Sequence, residues 1–351
     1  MRRWLIIGGA IVVVLVGAHA AAWRWVVVRA DTELQAWAAL RRSQGWTIDM
    51  GPSRHGGWPL AAELMLPDVR IISPNGASPV RVSVSVASVT AFVGLLQPRT
   101  VHVRLDGAMQ LQLADAPAIP FTARLFDITT PLALQAPPSE AEVTLDDLRL
   151  GAGEQPLLTI GHAHGSASWH LDAGKGVPAL SLAVQAGPIV LPSEPPAGAP
   201  QNLWALGNRL DRADLLASID GPVVRAASPA AWATQWRDGG GTARLQVNAL
   251  DWGRLSSSGT ATLSLDAGLQ PQGSATLRLA GFGETLDALA AARVIPPRTA
   301  STAKAVLSLM ARPQASGPPV VEAPLTLQDR TLQFARFPLA RMPELQWSAA
   351  P

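Results

Sequence analysis

The chain has 351 residues, 48% of them apolar, enough to fill one large or two medium cores, so disorder along its whole length is excluded. Its 28 Lys and Arg face 26 Asp and Glu, leaving a formal net charge of +2, and no basic stripe follows the N-terminus, which argues against a nucleic-acid partner. With no Cys, a disulfide, a thiolate nucleophile and a Cys-ligated zinc are all excluded.

Arg2 and Arg3 precede an apolar run over residues 5–23 that is interrupted only by His19, and Arg24 and Arg29 follow it. Such a run rises about 28 Å as a helix, close to the hydrocarbon thickness of a bilayer. Trp4, Trp23 and Trp25 flank it as interfacial aromatics would. The expectation is a single-pass anchor over 1–28, inserted in an inner membrane through 5–23, with the N-terminus in the cytoplasm and the rest of the chain in the periplasm. The competing reading is a signal peptide cleaved near Ala20, because Ala18-His19-Ala20 fits the small-x-small rule. Leu34, Trp37, Ala38, Leu40 and Arg41 then predict a membrane-proximal helix over 29–44, ended by Gly45.

Alternating runs dominate 45–191, the first β-rich region. Val82, Val84 and Val86 alternate with Ser83 and Ser85. Val101, Val103, Leu105, Met109, Leu111 and Leu113 are odd-numbered, while His102, Arg104, Asp106, Gln110 and Gln112 are even. A two-residue hairpin at Asp106-Gly107 would mix these sets on one face, so one long strand bent at Gly107 is predicted. Five segments share a Gly followed by period-two alternation, beginning at Gly107, Gly165, Gly241, Gly259 and Gly273. Each predicts a strand with one dry and one wet face.

Residues 192–200, rich in Pro, predict a linker and a boundary. In 201–351, the second β-rich region with helices, Leu203, Trp204, Leu206, Leu210, Leu215 and Leu216 have helical spacing. Ser228-Pro229 caps a short helix carrying Trp232 and Trp236, and the three strand units from Gly241, Gly259 and Gly273 predict a meander. Helices over 284–293 and 299–312 follow, separated by Pro296-Pro297. A turn at Asp329-Arg330 pairs Leu327 with Leu332 and Leu325 with Phe334 on one face, so a hairpin is predicted there.

Catalytic and metal chemistry finds little support. His162, His164 and His170 share strand parity, but the outer two lie about 26 Å apart along an unbroken strand. Glu140, Glu142, Asp146 and Asp147 form an acidic cluster without a companion His, helix or Gly-rich loop. Gly281-Phe282-Gly283 is a fragment of a dinucleotide loop without its third Gly. No Gly-x-Ser-x-Gly elbow, phosphate loop or His-Glu-x-x-His occurs. No metal site and no cofactor are expected.

The flanked apolar helix, the amphipathic helix and Arg54-His55-Gly56-Gly57-Trp58-Pro59 before Leu64, Leu66, Val69 and Ile71 carry a resemblance. With Leu250-Asp251-Trp252-Gly253 and the closing segments from Pro324 to Arg330 and from Pro343 to Trp347, this resembles an uncharacterised alphaproteobacterial envelope family, domain of unknown function 2125. The Gly usual after the turn Asp in that family is Arg330 here. Gly57, Trp58 and Pro59 form the family-like motif, and the resemblance brings no catalytic residue. The Gly-headed strands are more loosely similar to AsmA-like envelope proteins, which implies a long curved sheet whose apolar groove carries lipid.

The expected fold is mainly β with some α: elongated or curved antiparallel sheets with packing helices behind an N-terminal transmembrane helix. The expected function is non-catalytic, in biogenesis or maintenance of the envelope, with a lipid or other hydrophobic ligand on the apolar sheet face. Candidate groove residues are Val103, Leu105, Leu111, Leu113, Leu263, Leu265, Leu277 and Leu279. The alternatives are an anchored scaffold for envelope protein partners, with Trp58 or Trp252 as contacts, and a periplasmic hydrolase using the acidic cluster. The apolar face is open in the first reading and packed in the second.

Overall fold

The computed structural model describes residues 2–74, 81–94, 96–114, 116–132, 138–151, 153, 156–170, 172–195, 201–223, 228–314, 317–334 and 337–347. Among them are four α-helices and seventeen strands, whose registered pairings are all antiparallel. The chain divides into two compact units, Met1–Pro156 and Leu157–Pro351.

The first unit opens with α1 (Arg2–Ser43), one unbroken helix of 42 residues. It runs without a break through both the expected anchor over 1–28 and the membrane-proximal segment over 29–44, and residues 23–34 contain no Gly or Pro to interrupt the backbone ladder. The helix stops where the sequence places its end. Gly45 takes φ +87°, and the N–H groups of Gly45 and Trp46 donate to the carbonyls of Arg42 and Arg41 at 3.0 and 3.1 Å. Residues 11–18 are exposed all round. From His19 onward the sheltered positions recur as His19, Trp23, Val27, Asp31, Leu34 and Ala38, a stripe of helical period.

That stripe docks on β3 (Ala61–Ile72), where Leu64, Leu66 and Val69 form a buried cluster joined by Leu34, Met50, Ile71 and Val89. The short strands β1 (Thr47–Asp49) and β2 (Arg54–Gly56) pair with β3, which pairs in turn with β4 (Val82–Gly94). β5 (Thr100–Leu113) follows, then β6 (Ile119–Thr122) and β7 (Leu125–Pro131), both paired with β5 and with β8 (Glu140–Leu150). The register joins Leu64, Ala91, Val103, Ile128 and Val143 across one face. Glu63, Phe92, His102, Thr129 and Glu142 are joined across the other. β5 is one strand, with Gly107 at φ +84° where its register to β4 shifts.

The second unit is a meander in which each strand pairs with the next: β9 (Leu158–Trp169), β10 (Pro178–Val190), β11 (Arg209–Asp220), β12 (Thr242–Trp252), β13 (Leu255–Leu265), β14 (Pro271–Ala280), β15 (Val320–Gln328), β16 (Thr331–Phe334) and β17 (Phe337–Arg341). The helix α2 (Pro229–Asp238) lies between β11 and β12, and α3 (Phe282–Ala291) and α4 (Pro297–Met310) between β14 and β15. Ser228 caps α2 as expected, its Oγ accepting from the Ala231 N–H at 3.2 Å. The hairpin at Asp329-Arg330 forms with both residues at positive φ, 49° and 62°, so the turn is of the primed type that fits strand twist without its usual Gly.

Two expectations are corrected in this unit. The spacing read as a helix over 203–216 is a 3-10 turn over Gln201–Leu206 followed by β11. β11 sits between β10 and β12 with both edges paired, so ladder hydrogen bonds override a leucine spacing that fits either element. The boundary expected at 192–200 is likewise displaced. β10 and β11 pair directly from Val190 and Arg209 inward, so this segment connects neighbouring strands, and the compact units divide at Pro156 instead. Residues 196–200 of the segment lie outside the described residues.

At Gly241, Gly259 and Gly273 the Gly heads of the strand units make room rather than turns. Gly259 lies opposite Leu277 and Gly273 opposite Leu263, and a Cβ on either would come within about 3 Å of the facing leucine's Cδ2, at 2.9 and 3.0 Å. A Cβ on Gly241 would overlap the indole of Trp236, which is 6% exposed and donates from Nε1 to the Asp220 carbonyl at 2.9 Å. Gly241→Ala is therefore expected to destabilise the full chain by about 1–3 kcal/mol, since neither the ring nor the strand can withdraw freely. Gly174→Ala, with nothing within 4 Å of its Cβ, is the comparison expected to change nothing, and thermal unfolding in detergent reads both.

Candidate functional site

The meander register carries one apolar face across the second unit. Leu182, Ala217, Leu245, Ala261, Ala275 and Leu325 form one row, and Leu180, Ile219, Ala243, Leu263, Gly273 and Leu327 the next. Leu182, Leu245, Leu263, Leu325 and Leu327 each face an Ala or Gly on an adjacent strand, whereas Leu180 lies between Ile219 and Trp169. On the helices the buried residues are Ala233 and Trp236 in α2, Phe282 and Thr285 in α3 and Ala300 in α4. α2 and α3 touch β13, and α4 touches β15. Leu180, Leu182, Leu245 and Leu263 nevertheless keep exposures of 37–44%, so large aliphatic side chains on β10–β13 remain open to solvent.

The eight groove candidates fall into two sets, one in each unit. Val103, Leu105 and Leu111 are half-buried on the apolar face of the first sheet, while Leu113 at the strand end is 42% exposed. Leu263, Leu265, Leu277 and Leu279 share the apolar face of β13 and β14, with Leu263 the most open. The motif residues Gly57, Trp58 and Pro59 make the turn between β2 and β3. Gly57 is held at φ +84°, and its carbonyl accepts from the N–H groups of Leu60 and Ala61 at 3.1 and 2.8 Å. A Cβ there would lie 2.6 Å from Glu63 Cγ, so close approach as well as dihedral angle calls for Gly.

Polar residues on the opposite faces are tied to one another. The acidic cluster is divided: Arg124 takes Asp146 and Asp147 at 2.9 and 2.8 Å, leaving the two glutamates at the start of β8. Glu142 lines an open cleft of about 500 Å³ with Gln97, Arg99, Thr100, His102 and Thr129. In it, a grouping that periodicity alone did not reveal joins His102 Nδ1 to Asp127 Oδ2 at 3.2 Å and His102 Nε2 to Gln97 Oε1 at 3.1 Å. Phe92 stacks on the imidazole at 4.9 Å and Arg104 lies over Phe92 at 5.3 Å. Both ring nitrogens are engaged, so the histidine fastens β5 to β7 and to the preceding turn rather than directing a base into the cleft. Only the β5–β7 register brings together two residues this far apart in sequence.

In the second unit, His162 and His164 border a cleft of about 240 Å³ with Gln185, Asp211 and Asp214, and His170 follows the end of β9. Among the described residues, no group of three or more His, Asp or Glu could hold a metal ion. Asp220, fully buried, accepts from Arg244 Nη2 at 2.8 Å and from Thr242 Oγ1 at 3.3 Å. Asp214 accepts from Asn248 Nδ2 at 3.0 Å and Arg212 Nη2 at 3.2 Å, with Gln185 as a further donor. The Asn248 bond leads in holding this carboxyl below the usual carboxylate range, against the opposing pull of burial.

A folded-state value below the unfolded one makes this group stabilising above its unfolded pKa, with the contribution lost as the pH falls through the folded one. Unfolding midpoints measured from pH 7 down to about pH 3 should therefore fall less steeply in Asp214→Asn than in the parent.

Residues 23–343 match the model of a family described as an uncharacterized protein conserved in bacteria (DUF2125). No curated protein and no solved structure matches the chain.

Proposed function

Because the chain belongs to the uncharacterised bacterial family DUF2125, whose description assigns no activity, we propose from its own geometry that it is a non-catalytic, membrane-anchored binder of acyl chains or another hydrophobic ligand, acting in maintenance or biogenesis of the envelope. The observation that carries this reading is the set of open leucines, Leu180 and Leu182 on β10, Leu245 on β12 and Leu263 on β13, on one face of the sheet. An aqueous sheet face normally carries polar residues, and the other side of these same strands does so with Ser181, Ser218, Arg244 and Thr262, Leu216 at 39% being its exposed aliphatic exception. An extended aliphatic ligand would recover the exposed area at roughly 25 cal/mol per Å².

Attachment to a membrane is supported by α1, long and apolar enough to cross one. The sheltered stripe that begins at His19 ties this segment to the folded unit, which favours retention over cleavage near Ala20. In this reading the N-terminus is cytoplasmic and the sheets are periplasmic.

Two measurements test the proposal. A photo-reactive amino acid placed at Leu245 or Leu263 of the full chain in membranes should give a lipid adduct, while one at Thr260 or Thr262 on the polar face should not. Adducts to protein at the leucines favour the scaffold reading, and the absence of any adduct overturns ligand binding. For orientation, the Cys-free chain permits a single Ala267→Cys probe in an exposed turn. It should react with a membrane-impermeant maleimide as soon as the outer membrane is opened, and protection until the inner membrane is lysed would reverse the assignment.

A further inference from the structure

We propose that the turn joining β2 to β3 is a second membrane contact, seated at the headgroup–acyl boundary beside the end of the apolar helix. The inference rests on the reading that α1 spans the bilayer. His19 Nε2 bonds the Pro59 carbonyl at 2.8 Å and Trp23 Nε1 donates to the Ala61 carbonyl at 2.8 Å. These bonds fix the height of the turn along the helix at residues 19–23. That stretch is the last turn of the 5–23 apolar run, about 6 Å of axial rise. Withdrawing the turn into bulk water would pull this end of the run out with it, leaving residues 5–18, about 21 Å, to cross a hydrocarbon layer of about 30 Å.

The chemistry of the turn suits that depth. Trp58 is 51% exposed and Leu60 70%, two large apolar side chains at successive corners of one short turn. An indole with one apolar body and one N–H belongs at this boundary, and leucine beyond it. Arg24, next in sequence to Trp23, and Arg54 on β2 are both exposed cations of the kind that pair with lipid phosphates. His19, the one polar interruption of the run, has one of its two ring nitrogens bonded to the Pro59 carbonyl, which lowers the cost of placing that helical turn at the hydrocarbon edge. The partner is therefore the lipid surface itself, continuous with the surface of the span.

The test uses the full Cys-free chain with one environment-sensitive fluorophore on Leu60→Cys, and separately on Leu15→Cys, in phosphatidylcholine–phosphatidylglycerol vesicles. Both side chains are exposed, so neither substitution removes packing. The Leu15 probe should be quenched by spin labels deep in the acyl chain. The Leu60 probe should be quenched by labels near the headgroup and shielded from aqueous iodide. If Leu15 is quenched by lipid while Leu60 is open to iodide and untouched by shallow labels, the turn is not a membrane contact although the span stands. If neither probe senses lipid, the spanning reading fails and takes this inference with it.

Discussion

Backbone pairing in unbroken antiparallel succession is the constraint on which the rest depends. A consecutive meander leaves no crossover at which faces could exchange, so one choice of parity propagates from strand to strand. Leu182 on β10 commits Ala217, Leu245 and Ala261 to the same side, and Ser181 commits Ser218, Arg244 and Thr262 to the other. A single-residue slip in any one of these strands would turn its leucines to the wet side. The polar networks around Asp214 and Asp220 oppose such a slip, because each links residues on neighbouring strands in one register: Asp214 with Asn248, Asp220 with Thr242 and Arg244.

Small residues complete the arrangement. Gly259 and Gly273 lie opposite Leu277 and Leu263, so the dry face is filled by leucines leaning over gaps rather than by a layer of bulky residues. Gly241 serves α2 in the same way by admitting the Trp236 ring against the backbone. A sheet built like this has a shallow core of its own, and in the second unit most of its fully buried apolar side chains are alanines. The first unit meets the shortage with a helix, whose stripe from His19 to Ala38 lies along β3.

The sequence exposes the strands well because period-two alternation is strong wherever one face is dry. Val101 to Leu113 reads correctly as one strand, and parity alone excludes a hairpin at Gly107 and requires one at Asp329. It misleads at 203–216, where Leu210, Leu215 and Leu216 fit a helix as easily as a strand with both edges paired. The His102–Asp127 link and the division of the acidic cluster by Arg124 depend on which strands are neighbours, and β7 pairing back onto β5 is written in no local pattern. Parity reveals which face a leucine shares but not its exposure. Leu263 is open and Leu279 half-buried although both sit on the same face.

The helix α1 has no Gly or Pro between the exposed segment at 11–16 and the docked stripe that ends near Ala38 except Gly17, and it runs straight through that residue. Its two ends are thus geared together. One residue turns a helix by about 100°, so an insertion between Val16 and His19, ahead of the docked stripe, would rotate the first sheet about the helix axis relative to whatever grips the N-terminal part, while a full seven-residue insertion would nearly restore the bearing and raise the sheet by about 10 Å. The compass bearing of the dry face around the axis of its anchor is therefore written in residue count.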